Sequence, residues 1–120
     1  MDGMIKSSDI RLRVLMDDDG IEEIRWEADD GPEPGEQTSK AMILSLWDAE
    51  RRNALRIDLW TKEMPVDDMN DFVFQTLMSL ADTYRNATND AGLASEMKLF
   101  AQDFAHKASQ TAKRQAGMLT

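Results

Sequence analysis

Residues 65–85 read PVDDMNDFVFQTLMSLADTYR, and the period of their apolar positions decides the fold class. Met69, Phe72, Val73, Leu77, Leu80, Ala81 and Tyr84 fall on one stripe at helical spacing, with Asp71, Gln75, Asp82 and Arg85 off it. Pro65 and the acids Asp67 and Asp68 mark the start, since proline suits the first helical turn and carboxylates favour the positive end of the helix dipole. Phe74 and Met78 lie on a flank outside the stripe. The cap-rich NATNDAG at 86–92 interrupts the pattern. A second stripe follows, Leu93, Met97, Phe100, Ala101, Phe104 and Ala108, ending in Lys113 and Arg114. The short connection predicts an antiparallel helix pair over 65–115.

Upstream of Pro65 the period is two. Ile10, Leu12, Val14 and Met16 alternate with Arg11, Arg13 and Leu15, and Ile24, Trp26 and Ala28 with Glu23, Arg25 and Glu27. Asp17-Asp18-Asp19-Gly20 between them reads as a tight turn, so 8–29 is expected to form a hairpin. The polar DDGPEPGEQTS at 29–39 holds proline and glycine without periodicity, which predicts a mobile connector over 30–39. Met42, Leu44 and Leu46 then meet Leu55, Ile57 and Leu59 in a second hairpin over 40–61, across the loop DAERRN. Strands first and helices after predict one α+β domain over 1–120: a four-stranded, mainly antiparallel sheet with two C-terminal antiparallel helices packed on one face.

Composition narrows the function classes. The chain has 120 residues, 42% of them hydrophobic, and no cysteine, so no disulfide, thiolate metal site or cysteine nucleophile exists. A net charge of -9 argues against generic binding to nucleic acid or anionic lipid, because phosphate affinity comes from cations. Asp outnumbers Glu and Arg outnumbers Lys, a bias that suits a high-salt cytoplasm and equally suits an ordinary acidic protein. No apolar run is long enough for a membrane span, and the acidic N-terminus lacks the plan of a signal peptide, so a soluble cytoplasmic protein with no direct membrane insertion is expected.

If the helices cover Leu12, Val14, Trp26, Leu44, Leu46, Leu55, Ile57 and Leu59, strand alternation sends their neighbours to the opposite face. That face carries Arg11, Arg13, Glu23, Arg25, Glu27, Ser45, Arg56 and Asp58, with Leu15, Ile43, Trp47 and Trp60. A Trp47 and Trp60 pair flanked by arginines is the chemistry enriched at binding hot spots. Ile43, Trp47, Trp60, Arg56, Arg13 and Arg25 are therefore the candidate protein-binding residues. The plainer reading is an ordinary solvated sheet face with charges alternating in sign. In its simplest register the DDDG turn pairs Asp17 with Ile21 and places Arg13 opposite Arg25, which requires either a bulge or restraint of the arginines by Glu23 and Glu27.

Catalytic and metal signatures are weak. The DDDG run does not fit a calcium loop, whose ligands fall at alternate positions. Asp67, Asp68 and Asp71 are explained by the helix dipole without Mg²⁺. His106, the one histidine, falls off the buried stripe and reads as a solvated helix residue. No nucleophile and base can be assembled, and there is no phosphate or dinucleotide loop, so no cofactor and no enzyme activity are expected. Of the methionines, Met42, Met69 and Met97 lie on the buried stripes.

The segment RIDLWTKEMPVDDM at 56–69 closely resembles the gliding-motility protein GldC family. The likeness extends upstream through IRWEADD and SLWDAERRNALRIDLW and downstream through FVFQTLMSLADTYRNATND, covering most of the chain. The C-terminal helix is its least diagnostic part, and the DDDG turn is shorter than the family's usual loop. The resemblance implies a non-enzymatic accessory protein acting through contacts with other motility or envelope-associated proteins, cytoplasmic or held at the inner membrane by a protein partner. Self-association is the further option for the same face. It carries over no catalytic or ligand residue. A rival from another class is a small-ligand binder or enzyme with a pocket between sheet and helices.

Overall fold

The computed structural model describes residues 3–118, without the side chains of 116–118. Two compact units divide the chain, Met1–Met64 and Pro65–Thr120. The first is all β and the second all α, which makes the protein α+β.

In the β unit, β1 (Ile10–Asp17) and β2 (Gly20–Ala28) form the expected antiparallel hairpin. Arg13 does stand opposite Arg25, but the turn is tighter than the simplest register: Asp17 pairs with Gly20 and Met16 with Ile21. A bulge between Leu15 and Met16 absorbs the difference, leaving Glu22 as the extra residue. Gly20 has φ 141, a value that a side chain would strain. Asp17 Oδ1 accepts from the Asp19 N–H at 2.9 Å and fixes the turn.

The expected mobile connector gives way at its end to a strand. β3 (Gln37–Ser39) pairs antiparallel with the second edge of β2, Ile24 facing Ser39 and Trp26 facing Gln37. The reason is the free row of backbone groups on β2, which a polar extended segment satisfies as well as an apolar one. Beyond Lys40 the chain leaves this sheet. β4 (Ala41–Asp48) and β5 (Asn53–Trp60) pair with each other alone, so the single four-stranded sheet expected from the pattern is divided into a three-stranded sheet, β1-β2-β3, and a two-stranded ribbon. One backbone bond joins the two at a corner, the Lys62 N–H donating to Ile21 O at 2.9 Å, while the Thr61 N–H extends the ribbon by donating to Lys40 O at 2.8 Å.

That division splits the expected inner face between two sheets. Leu12 belongs to one sheet and Leu46, Leu55 and Ile57 to the other, and all four are exposed, while Val14, Trp26, Leu44 and Leu59 are half-buried. Among the described residues Ile24, in the central strand, is the large side chain that is fully buried.

In the α unit, α1 (Val66–Thr88) begins after Pro65, with Asp67 and Asp68 in its first turn. The interruption expected at 86–92 shrinks to Asn89 and Asp90. Thr88 stays helical, its hydroxyl donating to Tyr84 O at 2.8 Å. Asn89 then adopts the left-handed conformation, φ 61, and its N–H donates to Arg85 O. Asp90 Oδ1 accepts from the Leu93 N–H at 2.9 Å and caps α2 (Ala91–Met118). The helices pack as an antiparallel pair, with an ion pair from Lys98 to Asp82 at 2.8 Å. Small residues are the fully covered ones, Ala81 on α1 and Ala94 and Ala101 a heptad apart on α2. Leu80, Leu93 and Phe100, placed on the buried stripes by periodicity, are exposed, whereas Phe74 and Met78 are half-buried. The contact seam follows the rest of the expected stripes, since Met69, Phe72, Val73, Leu77, Tyr84, Met97, Phe104 and Ala108 are half-buried and Ala81 and Ala101 fully covered. Alanines let the backbones approach closely, and that approach leaves bulky residues at the rim.

Candidate functional site

The β4–β5 ribbon carries the densest exposed apolar surface in the β unit. Its register pairs Leu44 with Ile57, Leu46 with Leu55, Ser45 with Arg56, Ile43 with Asp58, Trp47 with Ala54 and Trp60 with Ala41. Alternation therefore puts Ile43, Trp47, Arg56 and Trp60 on one face, with Leu46, Leu55 and Ile57 on the other. All seven are exposed; Trp47 is 62% and Trp60 57% accessible. A two-stranded ribbon is marginal by itself.

The two tryptophans share a face but are not a pair. Trp60 lies across from Ala41, six residues from Trp47 along β4, which separates them by about 20 Å at strand rise. Trp47 instead meets Arg52, whose guanidinium carbon is 5.7 Å from the ring centroid. Arg52 reaches it from the turn, where it takes a left-handed φ of 52 while Asp48 Oδ1 accepts from the Glu50 and Arg51 N–H groups. This cation over the ring escaped sequence reasoning; the DAERRN loop supplies the arginine, but only the turn conformation aims it.

Arg13 and Arg25 lie elsewhere, in the three-stranded sheet. Their repulsion is answered by two glutamates. Arg25 donates through Nε to Glu23 at 3.0 Å, and Glu36 reaches both arginines, at 3.6 Å from Arg25 and 4.0 Å from Arg13. Glu27, expected to share this task, pairs with Arg11 at 3.7 Å. Arg11 also donates to Asp29 at 3.1 Å, and Asp29 accepts from the Asp9 N–H. The Asp9 N–H first, and then Arg11, hold the Asp29 carboxyl below the usual carboxylate range. The arginines on this sheet are thus already partnered, and the ribbon holds the less satisfied surface.

At the corner between sheet and ribbon, Lys62 Nζ binds Asp17 at 2.5 Å and Glu22 at 2.8 Å. These bonds, Asp17 first, raise the Lys62 pKa above that of ordinary lysine. Asp17 is lowered by Lys62 and next by the Asp19 N–H. Within the helix pair, a cleft of about 470 Å³ is lined by Asp67, Asn70, Asp71, Phe74 and Lys113. His106 is exposed on α2. Among the described residues no three His, Asp or Glu side chains cluster to hold a metal ion, and no helix is long and apolar enough to cross a membrane.

No curated protein and no solved structure matches the chain. A family model does, over residues 21–110, a span that runs from the start of β2 across the ribbon and α1 into α2 and so takes in both units. By that match the chain belongs to the gliding motility-associated protein GldC-like family.

Proposed function

We propose that the protein is a non-enzymatic adaptor of the gliding-motility machinery that works through protein–protein contacts on the β4–β5 ribbon. Its partners are other motility or envelope-associated proteins, met from the cytoplasmic side. The observation that carries this reading is the exposure of Ile43, Trp47 and Trp60 on one face of a two-stranded ribbon. Large rigid aromatic area beside an arginine, here Arg52 at Trp47 and Arg56 between the tryptophans, is what binding hot spots use, since it buries much surface while losing little side-chain freedom. Exposed apolar surface of this kind on a chain with a net charge of -9 favours one shaped partner over indiscriminate association.

Affinity capture of the tagged chain from its native lysate at native salt, with mass spectrometry of what returns, tests the reading. Wild type is expected to recover motility or envelope components, and the Trp47→Ala, Trp60→Ala double variant to lose them with its circular dichroism unchanged. Equal recovery by a folded double variant overturns the role of this face.

A further inference from the structure

The outer edge of β5 before Lys62 is unpaired among the described residues, and it is self-complementary. Thr61 donates its N–H inward to Lys40, the residue before β4, and Lys62 donates outward to Ile21, so alternation turns the backbone groups of Ala54, Arg56 and Asp58 away from β4. Among the described residues no strand takes them, and all of β5 but Leu59 is exposed. Exposed edges of this kind are normally guarded by like charges, proline or a bulge. β5 has none of these along Leu55-Arg56-Ile57-Asp58-Leu59. Its two charges have opposite sign, stand two residues apart and make no ion pair within the described residues.

We infer that a second copy of this chain pairs with that edge, β5 against β5 antiparallel about a two-fold axis at Ile57. The register follows from charge. Outward-facing residues must meet outward-facing residues, so the axis passes through a residue and not between two, and the positions central to the strand are Arg56, Ile57 and Asp58. An axis at Arg56 sets arginine against arginine, and one at Asp58 sets aspartate against aspartate. At Ile57 each Arg56 faces the other copy's Asp58, twice by symmetry, Ile57 meets Ile57 at the close non-hydrogen-bonded spacing, and Leu55 meets Leu59. The other exposed edges lack this property. β1 offers Arg11 and Arg13, which repel in a self-pairing centred on Leu12, and β4 carries no charge between Ala41 and Trp47 to fix a register. The product is a four-stranded sheet, β4-β5-β5-β4, in which Leu55, Ile57 and Leu59 of both copies line one face. That supplies the strands a lone ribbon lacks.

This proposal rests on the ribbon being the interaction surface, but it uses the edge and not the tryptophan face. The test is a charge exchange read by light scattering and native mass spectrometry on the full chain. Wild type is expected at twice the chain mass at micromolar concentration. Arg56→Asp and Asp58→Arg each set two like-charge contacts in the two-fold pair, so each alone is expected to weaken self-association at least about tenfold. Mixed, they restore both opposite-charge contacts, and only the heterodimer is expected to form. Should a reversal unfold the ribbon, Arg56→Ala and Asp58→Ala must each weaken the dimer. A monomeric wild type, variants that dimerise as wild type does, or folded reversal variants that stay apart when mixed overturn the proposal. A monomer that still loses its partners with the tryptophans leaves the adaptor reading standing, and a dimer indifferent to partner capture leaves the edge standing.

Discussion

Arg13 and Arg25 face each other directly across β1 and β2, and Glu36, from the segment that leads into β3, reaches both. Two cations at a cross-strand position are unfavourable unless an anion is shared between them. The residues before β3 thereby contribute to the hairpin they follow, and the short third strand sets Thr38 opposite Arg25 while bringing Glu36 to the pair. Because all three side chains keep at least a third of their accessible surface, the effect is modest. Glu36→Gln is expected to lower stability by about 0.5 kcal/mol at low salt and by less at high salt. In an Arg13→Thr background the same substitution should cost less still. Urea titration of the four variants measures the coupling directly, and additivity would show that Glu36 does not bridge the pair.

The Lys62 corner gives a pH dependence of known sign. The Asp17 pKa is depressed in the folded chain, so its contribution is present above the ordinary carboxylate range and lost as pH falls through the lowered value. Lys62 is raised, so its contribution holds below the ordinary lysine range and is lost as pH rises through the raised value. The urea midpoint of wild type is expected to exceed that of Asp17→Asn by a constant margin near neutrality, and the two curves should converge on acidification below about pH 4. A margin unchanged in acid would mean that Asp17 contributes through its turn geometry alone.

Asp90 caps α2 through a single side-chain bond to the Leu93 N–H. Asp90→Ala is expected to destabilise the helix pair by about 1 kcal/mol, with Asp90→Asn close to wild type because the cap oxygen remains. Thermal unfolding followed at 222 nm, the helical circular dichroism band, distinguishes the two.

Ala101 is fully covered and has no room to grow. Ala101→Leu is expected to cost about 1–3 kcal/mol through overpacking. The same change at Ser95, which is exposed, should be nearly neutral and serves as the control. Loss of the denaturation midpoint at both positions alike would point to something other than packing.

Thr61, 5% exposed, has a buried hydroxyl with no hydrogen-bond partner among the described residues. Removing an unsatisfied buried group relieves its desolvation cost, so the near-isosteric Thr61→Val is expected to be neutral or to stabilise by about 1 kcal/mol. A clear loss of stability in urea would show that the hydroxyl is satisfied by water.

Periodicity made the two hairpins and two helices legible, because side-chain alternation is a local property. What covers each face is not local. Leu12 and Ile57 carry the same sequence signal, yet the turn at Lys40 sends their strands into different sheets. Parity put Trp47 and Trp60 on one face, but their separation needed the register. Glu36 and Arg52 escaped notice because they lie in loops, where reach depends on backbone angles that composition does not encode. In the helices the stripes, Ala81 and Ala101 included, were legible, and periodicity failed only to show that Leu80, Leu93 and Phe100 sit at the rim of the seam.

The bulge between Leu15 and Met16 has an effect beyond the hairpin that contains it. By leaving Glu22 out of the ladder it frees that carboxylate for Lys62, and it brings Ile21 to the place where its carbonyl accepts the Lys62 amide. One extra residue thus acts as a latch between two separate sheets, so that opening the first turn releases the end of the last strand. The Lys62 amide is therefore expected to exchange with solvent together with those of the β1–β2 turn, and deletion of Glu22 to uncouple the two in a hydrogen-exchange measurement.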